Sequence, residues 1–410
     1  MNRRKTPLKA VTARGYGLAA AGLLLAGIGF VFGYPELAVV GATGIVAVLS
    51  ALLYGTWRPT LDVRRTVEPD RVARGEGSHV TLGVRNSSRM LAATMVAEDA
   101  CGRVGGDGRV VDRVIVPVPV LRLRAGATTD VAYPVPTGRR GVVQVGPLRV
   151  TRRDPLGLIS MGRDHGGVAR IWVHPQVHPL QAVPAGITRS LDGRIDRVPH
   201  GSITFDTLRE YVMGDELRHV HWRTSAKVGE LMVREHLDTS LPRIVVLLDD
   251  RAGSYPTPST ADGEIPEFES ACEAAASVVA AAVREDLPVV LHTVGGHAVP
   301  GGRGSARPHL DALAEAEPRP GDADDTRLVD ATNRLRQHRP GDTLVYLTGP
   351  AGLADLGLVS ALRGPFPCVV TGVFGPVDPH DPGAGGSGML MLRAEDAVDF
   401  AAEWDGVARW

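Results

Sequence analysis

The chemically active side chains of this sequence are densest between Phe205 and Glu235. Imidazole titrates near neutral pH and a nearby carboxylate fixes its tautomer, so His221 with Glu210 or Asp215 could perform acid–base catalysis. Metal binding through His219 and His221 is disfavoured, because this spacing puts the two rings on different faces of a helix. The segment contains no nucleophile elbow, metal motif or phosphate loop. A non-enzymatic role is therefore predicted, and a hydrolase is the alternative.

The same segment also has the composition of a docking surface. Arginine binds carboxylates through two parallel hydrogen bonds and stacks on tryptophan, so an ion-pair and aromatic network could lock two domains together or bind a partner protein. We favour this interpretation over catalysis. The candidate partner-binding or domain-locking residues are Arg209, Glu210, Tyr211, Asp215, Arg218, His221, Trp222 and Arg234.

The segment must be positioned by local structure that the sequence also indicates. Asp215 follows a glycine and could cap a helix, since its carboxylate can accept the free amides of a first turn. We expect that helix to span Glu216–Lys227 and to end at Gly229. The alternation over Glu230–His236 then predicts a strand.

A second candidate site follows the apolar strand that comes next. Asp249 and Asp250 stand where a metal-ion-dependent adhesion site begins, and such a site offers Mg²⁺ the hard oxygens of Asp-x-Ser-x-Ser. Counted from Asp249, the two hydroxyl positions hold Arg251 and Gly253; counted from Asp250, only Ser254 fits. We therefore predict no metal and no other cofactor. Asp249, Asp250 and Ser254 are the residues that would hold Mg²⁺ if any did.

The region after Pro242 alternates apolar strands with helices, which predicts a parallel sheet covered on both faces. The strand ends at Asp249–Ser254, Gly295–Gly296 and Thr348–Gly349 should meet at one edge. Neither GxGxxG nor GxxxxGK[ST] is present, which disfavours nucleotide binding. The predicted strands are Ile244–Leu248, Pro288–Val294, Thr343–Thr348 and Pro367–Phe374, and the predicted helices are Glu267–Glu285, Ala306–Glu317, Arg327–Arg339 and Gly352–Leu362.

Short alternating segments broken by Gly, Pro, Asn and Asp fill residues 60–177. Period-two alternation with a turn every eight to twelve residues is typical of an antiparallel β-sandwich. The segment Glu76–Ser88 is the clearest strand and turn, and Arg103–Gly108 is expected to be a hairpin tip. We find no catalytic constellation in this region.

Two uncharged runs, Tyr16–Gly33 and Leu37–Tyr54, precede the β-rich region. Each is long enough to form a helix of about 27 Å, which just crosses a hydrocarbon core. A second span directly after the first argues against a secretory signal peptide. Basic residues flank both outer ends, so the positive-inside rule predicts a plasma-membrane hairpin with the N-terminus and all later domains in the cytoplasm. These flanking residues are Arg3, Arg4, Lys5, Lys9 and Arg14, and Arg58, Arg64 and Arg65.

Overall composition adds two exclusions. Lys and Arg number 45 against 46 Asp and Glu, so there is no basic excess of the kind that nucleic-acid binding requires. The hydrophobic fraction of 44% is that of a globular protein and excludes a disordered chain. The three cysteines, Cys101, Cys272 and Cys368, are too far apart for a disulfide framework and are expected to be reduced.

The order of these features resembles a bacterial family called domain of unknown function 58. The resemblance rests on the hairpin, on the motif Asp154–Leu158 in the β domain, on the segment LREYVMGDELRHVHWRTSAKVGELMVRE, and on a strand that ends in LLDD. It implies a C-terminal von Willebrand factor A-like domain, a genomic association with MoxR-type AAA ATPases and no established enzymatic activity. Arg251 and Gly253 depart from the adhesion-site pattern.

The fold class that we predict is therefore multidomain. It comprises a transmembrane α-hairpin in residues 1–57, an antiparallel β-sandwich in residues 58–178, a linking signature segment in residues 179–240 and a von Willebrand factor A-like α/β domain in residues 241–400. The expected function is that of a membrane-anchored cytoplasmic interaction or scaffold protein. It would act with a MoxR-like ATPase in the assembly or maturation of envelope-associated complexes, with the lipid bilayer as its other partner and no nucleic acid.

Overall fold

The structure is a computed structural model, and it divides the chain into two compact units, Met1–Val173 and His174–Trp410. The two apolar runs and the β-rich region belong to the first unit, and the signature segment and the α/β region belong to the second. The residues that the structure describes are 11–56, 60–88, 96–106, 108–118, 123–184, 188–189, 195–196, 206–211, 220–236, 243–256, 260, 263–300, 304–321, 326–338, 341–376 and 389–407.

The first unit begins with two long apolar helices, α1 (Ala13–Phe32) and α2 (Pro35–Thr56). Both are long and apolar enough to cross a membrane, which suggests membrane association. Gly33 ends α1 in the left-handed region, with φ of 74°. The turn is shorter than predicted because α2 already begins at Pro35, a residue that suits the first position of a helix.

The two helices pack closely through glycine, as the small residues of both runs predict. Gly22 and Gly29 of α1 are buried. A Cβ atom on Gly29 would overlap backbone atoms of Ala38, and one on Gly41 would overlap backbone atoms of Ala26. These glycines thus allow the backbones of the two helices to approach closely.

The β-rich region forms two sheets whose buried side chains share one hydrophobic cluster. The smaller sheet has the order β1-β3-β6, and the larger has the order β2-β10-β7-β4-β8-β9 with β5 paired to β4. The pairs β1-β3, β3-β6, β7-β10, β4-β7, β4-β8, β8-β9 and β4-β5 are antiparallel. The strands are β1 (Leu61–Glu68), β2 (Arg71–Ala73), β3 (His79–Asn86), β4 (Val96–Val104), β5 (Val110–Val118), β6 (Thr128–Pro134), β7 (Gly141–Val145), β8 (Leu148–Arg153), β9 (Ser160–His165) and β10 (Ala169–His174).

A buried ion pair connects the two sheets inside this cluster. Arg65 of β1 donates from Nη2 to both carboxylate oxygens of Asp99 on β4, at 2.9 and 2.7 Å. The phenol of Tyr133 on β6 donates to the same carboxylate at 2.5 Å. The Asp99 side chain is fully buried and that of Arg65 is 6% exposed. The carboxylate therefore has both a charged and a neutral donor, as a buried charge requires.

The three cysteines are free, as predicted, and Cys101 and Cys272 are buried. Burial and the neighbouring Asp99 carboxylate raise the pKa of the Cys101 thiol to about 11. This thiol is therefore protonated at neutral pH and unreactive.

The second unit contains a six-stranded sheet with the order β17-β16-β15-β18-β19-β20. All of its neighbours pair in parallel except β16 and β17. Two short two-stranded sheets precede it. The strands of the unit are β11 (Thr188–Arg189), β12 (Ile195–Asp196), β13 (Asp206–Glu210), β14 (Met232–His236), β15 (Ile244–Leu248), β16 (Val289–Thr293), β17 (Ala298–Val299), β18 (Thr343–Thr348), β19 (Cys368–Phe374) and β20 (Leu390–Ala394). The helices are α3 (Trp222–Val228), α4 (Pro266–Arg284), α5 (Arg307–Glu315), α6 (Arg327–His338), α7 (Leu356–Ser360) and α8 (Ala397–Asp405).

Helices cover both faces of this sheet, as the continuous apolar strands predict. All five residues of β15 are buried, and they alternate between two clusters. Ile244 and Val246 belong to the cluster that contains α4 and α8, whereas Val245 and Leu247 belong to the one that contains α6. The β15 strand is thus in the centre of the sheet, and its carboxyl end opens beside that of β18.

Two details of the α/β prediction are wrong. The predicted helix Gly352–Leu362 is a 3-10 helix over Pro350–Asp355, followed by the single short helix α7 and a further 3-10 turn. Glycines in this stretch weaken a regular helix, which accounts for the fragments. The sequence interpretation also missed β17, β20 and α8, although Asp396 caps α8 through the amides of Val398 and Asp399.

Candidate functional site

The signature segment (residues 206–236 from here on) is built on the antiparallel pair of β13 and β14. The register places Arg209 opposite Val233 and Arg234 opposite Leu208. The two arginines thus occupy successive register positions on neighbouring strands.

The short helix α3 connects these strands, and His221 caps its start. The imidazole Nδ1 lies 2.7 Å from the hydroxyl of Thr224 and accepts the Thr224 backbone N–H at 3.3 Å. Because Nδ1 accepts a backbone N–H, a neutral ring must carry its proton on Nε2. The backbone N–H of His221 donates to the Met232 carbonyl at 2.7 Å. The ring therefore has a structural task at the helix start.

The predicted helix start at Glu216, with Asp215 as its cap, is wrong for this helix. The structure begins α3 at Trp222. The N–H of His221 donates to the Met232 carbonyl, which ties His221 itself to β14, and a propensity argument could not foresee this contact. Gly229 ends the helix as predicted, with φ of 88°. Two residues of the predicted site, Asp215 and Arg218, lie outside the described residues, as does His219, which was considered only for metal binding.

Trp222 is the most distinctive side chain of the described part of the segment, because it is 64% exposed. Val228 and Leu231 of the same segment are 57% and 41% exposed. Tyr211 donates its backbone N–H to the Leu231 carbonyl at 2.7 Å, which ties the strand ends together. Large apolar side chains presented on a hydrogen-bonded frame are typical of protein interfaces.

Glu210 and His221 both lie next to Met232 of β14. Glu210 pairs with Met232 across the strands, and His221 bonds to the Met232 carbonyl. The Glu210 side chain is exposed. The structure thus brings Glu210 and His221, two members of the hypothetical acid–base set, to the same part of the β13–β14 pair. The third member, Asp215, lies outside the described residues.

The second candidate site lies at the carboxyl ends of β15 and β18, where the predicted strand ends do meet. Asp249 is fully buried and accepts hydroxyl hydrogen bonds on Oδ2 from Ser254 at 2.7 Å, and from Tyr346 and Thr348 at 2.8 Å each. The phenol of Tyr255 donates to its carbonyl oxygen at 2.7 Å. The carboxylate is therefore enclosed by protein donors on the side of β18.

Arg251 supplies the opposite charge to Asp249. Its Nε donates to Oδ1 at 2.9 Å and its Nη2 donates to Oδ2 at 2.8 Å. Its remaining nitrogen, Nη1, bonds to Asp355 at 2.8 Å, so one guanidinium joins the end of β15 to the 3-10 helix after β18. Burial alone would raise the pKa of Asp249, but the hydrogen bonds and charge of Arg251 outweigh it and hold that pKa below its ordinary value.

Asp250 faces the neighbouring strand end. It accepts the Gly295 N–H at 2.6 Å, and its other oxygen lies 3.2 Å from Arg319 Nε. Burial raises the pKa of Asp250 above its ordinary value, although the Gly295 amide and the Arg319 charge both favour the carboxylate. The pKa values of the two adjacent aspartates thus shift in opposite directions, because Asp249 contacts a buried guanidinium and Asp250 a half-exposed one.

The oxygen atoms at this strand end are not arranged to bind a divalent cation. A Mg²⁺ ion needs free oxygen ligands, whereas the Arg251 guanidinium already contacts both carboxylate oxygens of Asp249 and Ser254 donates its hydroxyl to one of them. No group of three or more His, Cys, Asp or Glu side chains suited to a metal occurs in the part of the chain that the structure describes. Of the three residues that would hold Mg²⁺, Ser254 is thus hydrogen-bonded to Asp249, and Asp250 contacts Gly295 and Arg319.

Sequence reasoning noted the positive charge of Arg251 but missed Tyr346 and Asp355. A signal for Tyr346 was present, since its hydroxyl is the polar group of the otherwise apolar run Leu344–Leu347 inside β18. Asp355 had no such signal, because it contacts Arg251 from 104 residues away.

Comparisons with known proteins support the family resemblance over the part that contains most residues of both candidate sites. The model described as "Protein of unknown function DUF58" matches residues 207–349. This range includes α3, Asp249 and Thr348. No curated protein is significantly similar to the chain.

Similarities to solved structures are slight, and their TM-scores are too low to carry an argument. The alkylpurine DNA glycosylase AlkC of Pseudomonas fluorescens, bound to DNA with an abasic site analogue, is 14% identical, with a TM-score of 0.20 over 32% of this chain and 39% of its own. A CARDB domain from Pyrococcus furiosus, in complex with di-metal ions, is 14% identical, with a TM-score of 0.19 over 28% of this chain and 86% of its own. The sporulation control protein Spo0M of Bacillus subtilis is 17% identical, with a TM-score of 0.18 over 29% of this chain and 51% of its own. The informative comparison is the family match, which shows that residues 207–349 are similar to DUF58 proteins.

Proposed function

We propose that this protein is a membrane-anchored cytoplasmic interaction protein that binds a partner through its signature segment. The observation that carries the proposal is Trp222, exposed at the start of a capped helix within the region that matches the DUF58 family model. Tryptophan is the residue most enriched among the side chains that dominate binding energy at interfaces. The apolar N-terminal helices would anchor the chain that carries this surface to a membrane.

The orientation that we propose has both outer ends of the hairpin in the cytoplasm. Basic residues before α1 and after α2 support it, because cytoplasmic flanks are enriched in Lys and Arg. Arg65 is excluded from this argument, since it is buried against Asp99. Arg14, Arg58 and Arg64 remain among the flanking charges.

The proposed architecture is a β-sandwich followed by a von Willebrand factor A-like domain. The shared core of the two antiparallel sheets supports the sandwich. In order along the chain, the strands of the larger α/β sheet are arranged 3-2-1-4-5-6, and the acidic pair follows strand 1 at the point where the order reverses. That position supports the A-like assignment, with Arg251 in place of a bound cation.

The partner that we propose is a MoxR-type AAA ATPase, acting in the assembly or maturation of an envelope-associated complex. We expect Trp222→Ala to weaken binding by at least about 30-fold, because truncating an interface hot spot costs about 2 kcal/mol or more. The measurement is a titration of the ATPase from the same organism against the full-length chain in nanodiscs. Val398→Ala is the matched control, since Val398 is 59% exposed on α8. Equal affinities of the two variants would contradict the assignment of Trp222.

The hydrolase alternative is separated from the docking proposal by the role of His221. Asparagine can accept the same capping hydrogen bond, so His221→Asn should preserve α3 and partner binding, whereas His221→Ala should cost about 1 kcal/mol of helix stability. Amide hydrogen exchange at Thr224 and Ser225 measures the cap. A hydrolase that uses the imidazole as an acid or base would lose its activity in both variants, and such a loss would favour the alternative.

A further inference from the structure

The loop Asp154–Ile159 of the β-rich region is built as a rigid turn. The buried carboxylate of Asp154 accepts the N–H groups of Leu156 at 3.0 Å and of Ile159 at 2.6 Å. The Gly157 N–H donates to the Asp154 carbonyl oxygen, and Gly157 adopts a positive φ of 68°. This turn holds Leu156 outward, where its side chain is 61% exposed.

The same loop contacts the ends of both apolar helices. Thr12, which caps α1, donates its hydroxyl to the Gly157 carbonyl oxygen at 2.8 Å and its N–H to the Leu158 carbonyl oxygen at 2.9 Å. Leu158 and Ile159 pack in one hydrophobic cluster with Val48 of α2 and its neighbour one turn later, Ala51. Next to this loop, the Arg152 guanidinium lies 4.2 Å from the ring centre of Tyr54. The β-rich region is thus joined to the hairpin by packing as well as by the chain.

The depth of this contact follows from helix geometry. If the bilayer surface lay at Val48, the apolar run from Leu37 to Val48 would span only about 18 Å of helix. A hydrocarbon core is about 30 Å thick, so the run up to Tyr54 must also be within or next to lipid. The loop therefore covers α2 at Val48 and Ala51, about 9 Å and about 5 Å of helix before Tyr54, just inside the cytoplasmic interface of the bilayer.

We propose that the loop Asp154–Ile159 is a lipid-contacting wedge, with Leu156 inserted into the cytoplasmic interface of the bilayer. The proposal rests on the membrane-spanning hairpin of the proposed function. Its occupant is the bilayer, because the loop that carries the exposed leucine is hydrogen-bonded to Thr12 at the start of α1 and packs on α2 through Leu158. An interfacial Arg152–Tyr54 pair is consistent with this depth, since aromatic rings and arginines concentrate at membrane interfaces. The wedge would fix the β-rich region against the membrane surface.

The test is an environment-sensitive fluorophore on the full-length chain in phosphatidylcholine–phosphatidylglycerol vesicles. It is attached through Leu156→Cys in a Cys368→Ala background, where the two remaining cysteines are buried. We expect blue-shifted emission and protection from aqueous iodide. His79→Cys, exposed on β3, is the aqueous control, and Leu24→Cys, exposed on α1, is the lipid control.

The outcomes separate this inference from the proposed function. If iodide quenches the fluorophore at position 156 as strongly as at position 79, while position 24 stays protected, the loop does not insert into lipid but the hairpin still spans the membrane. This is the result expected if Leu156 instead contacts another protein. Iodide quenching at Leu24 as well would show that the hairpin does not span, and both proposals would fail.

Two glycines of α1 provide a variant and a matched control that test the docking of the loop independently. A side chain on Gly15 would overlap the Leu158 carbonyl oxygen, whereas Gly17 has open space around it. We expect Gly15→Val to displace the loop and restore iodide quenching at Leu156, and Gly17→Val to leave the protection unchanged. The same quenching in the two variants would contradict docking of the loop onto the hairpin.

Discussion

Asp99→Ala is expected to lower the free energy of unfolding of the β-rich region by about 3–5 kcal/mol, because it leaves the Arg65 guanidinium buried without its partner. The Arg65 side chain is only 6% exposed, so water cannot replace the carboxylate. The Tyr133 hydroxyl would lose its acceptor as well. Hydrogen exchange of β4 amides in the full-length chain in detergent measures the loss.

The control for this prediction is an exposed carboxylate on β1, the strand that carries Arg65. Asp62 lies 3.8 Å from Arg64, and the two side chains are 53% and 87% exposed. Exposed pairs contribute little, so Asp62→Ala should leave the exchange of β4 nearly unchanged. A comparably small effect of Asp99→Ala would contradict the view that this ion pair holds the two sheets together.

Arg251→Ala is expected to destabilise the α/β region by a similar amount, about 3–5 kcal/mol, because Asp249 would remain buried with no cation. Its hydroxyl donors would stay in place, but hydroxyl groups do not neutralise its charge. The link to Asp355 would also be lost. Hydrogen exchange of β15 and β18 amides reports this region. The double variant Asp249→Asn with Arg251→Ala should recover part of the loss, since it removes both charges.

The same ion pair predicts how the stability difference between Arg251→Ala and wild type changes with pH. In the wild-type protein the pKa of Asp249 is lowered, so its contribution to stability is complete above the unfolded-state pKa of about 3.9 and is lost as the pH falls through the folded-state value. Without Arg251, burial dominates and the folded-state pKa rises. The stability gap between Arg251→Ala and wild type should therefore narrow in acid. A gap that widens as the pH falls would contradict the assigned role of Arg251.

Much of the α/β region could be predicted because its strands are continuous apolar runs. The prediction of Thr343–Thr348 coincides with β18, and those of α4 and α6 differ from the structure by only a residue or so at their ends. The edge strand β20 was missed because it is short and only partly buried, which leaves little pattern to recognise.

The location of the candidate sites could be predicted from the sequence, but most of the hydrogen bonds and ion pairs within them could not. Apolar strands that end in polar residues predicted that Asp249 and Thr348 would meet, and they do. Whether Arg251 faced solvent or the carboxylate depended on burial that no local pattern encodes. The start of α3 depended on the Met232 carbonyl, which lies on a strand that follows the helix. Contacts between distant residues are the part that single-sequence reasoning could not supply.

The most direct test of a membrane-anchored docking protein is photo-cross-linking in intact cells. A photoreactive phenylalanine analogue at position 222 should form an adduct with a MoxR-type AAA ATPase in the membrane fraction, and the same analogue at position 398 should not. The absence of that adduct at position 222, or its equal formation at position 398, would contradict the account.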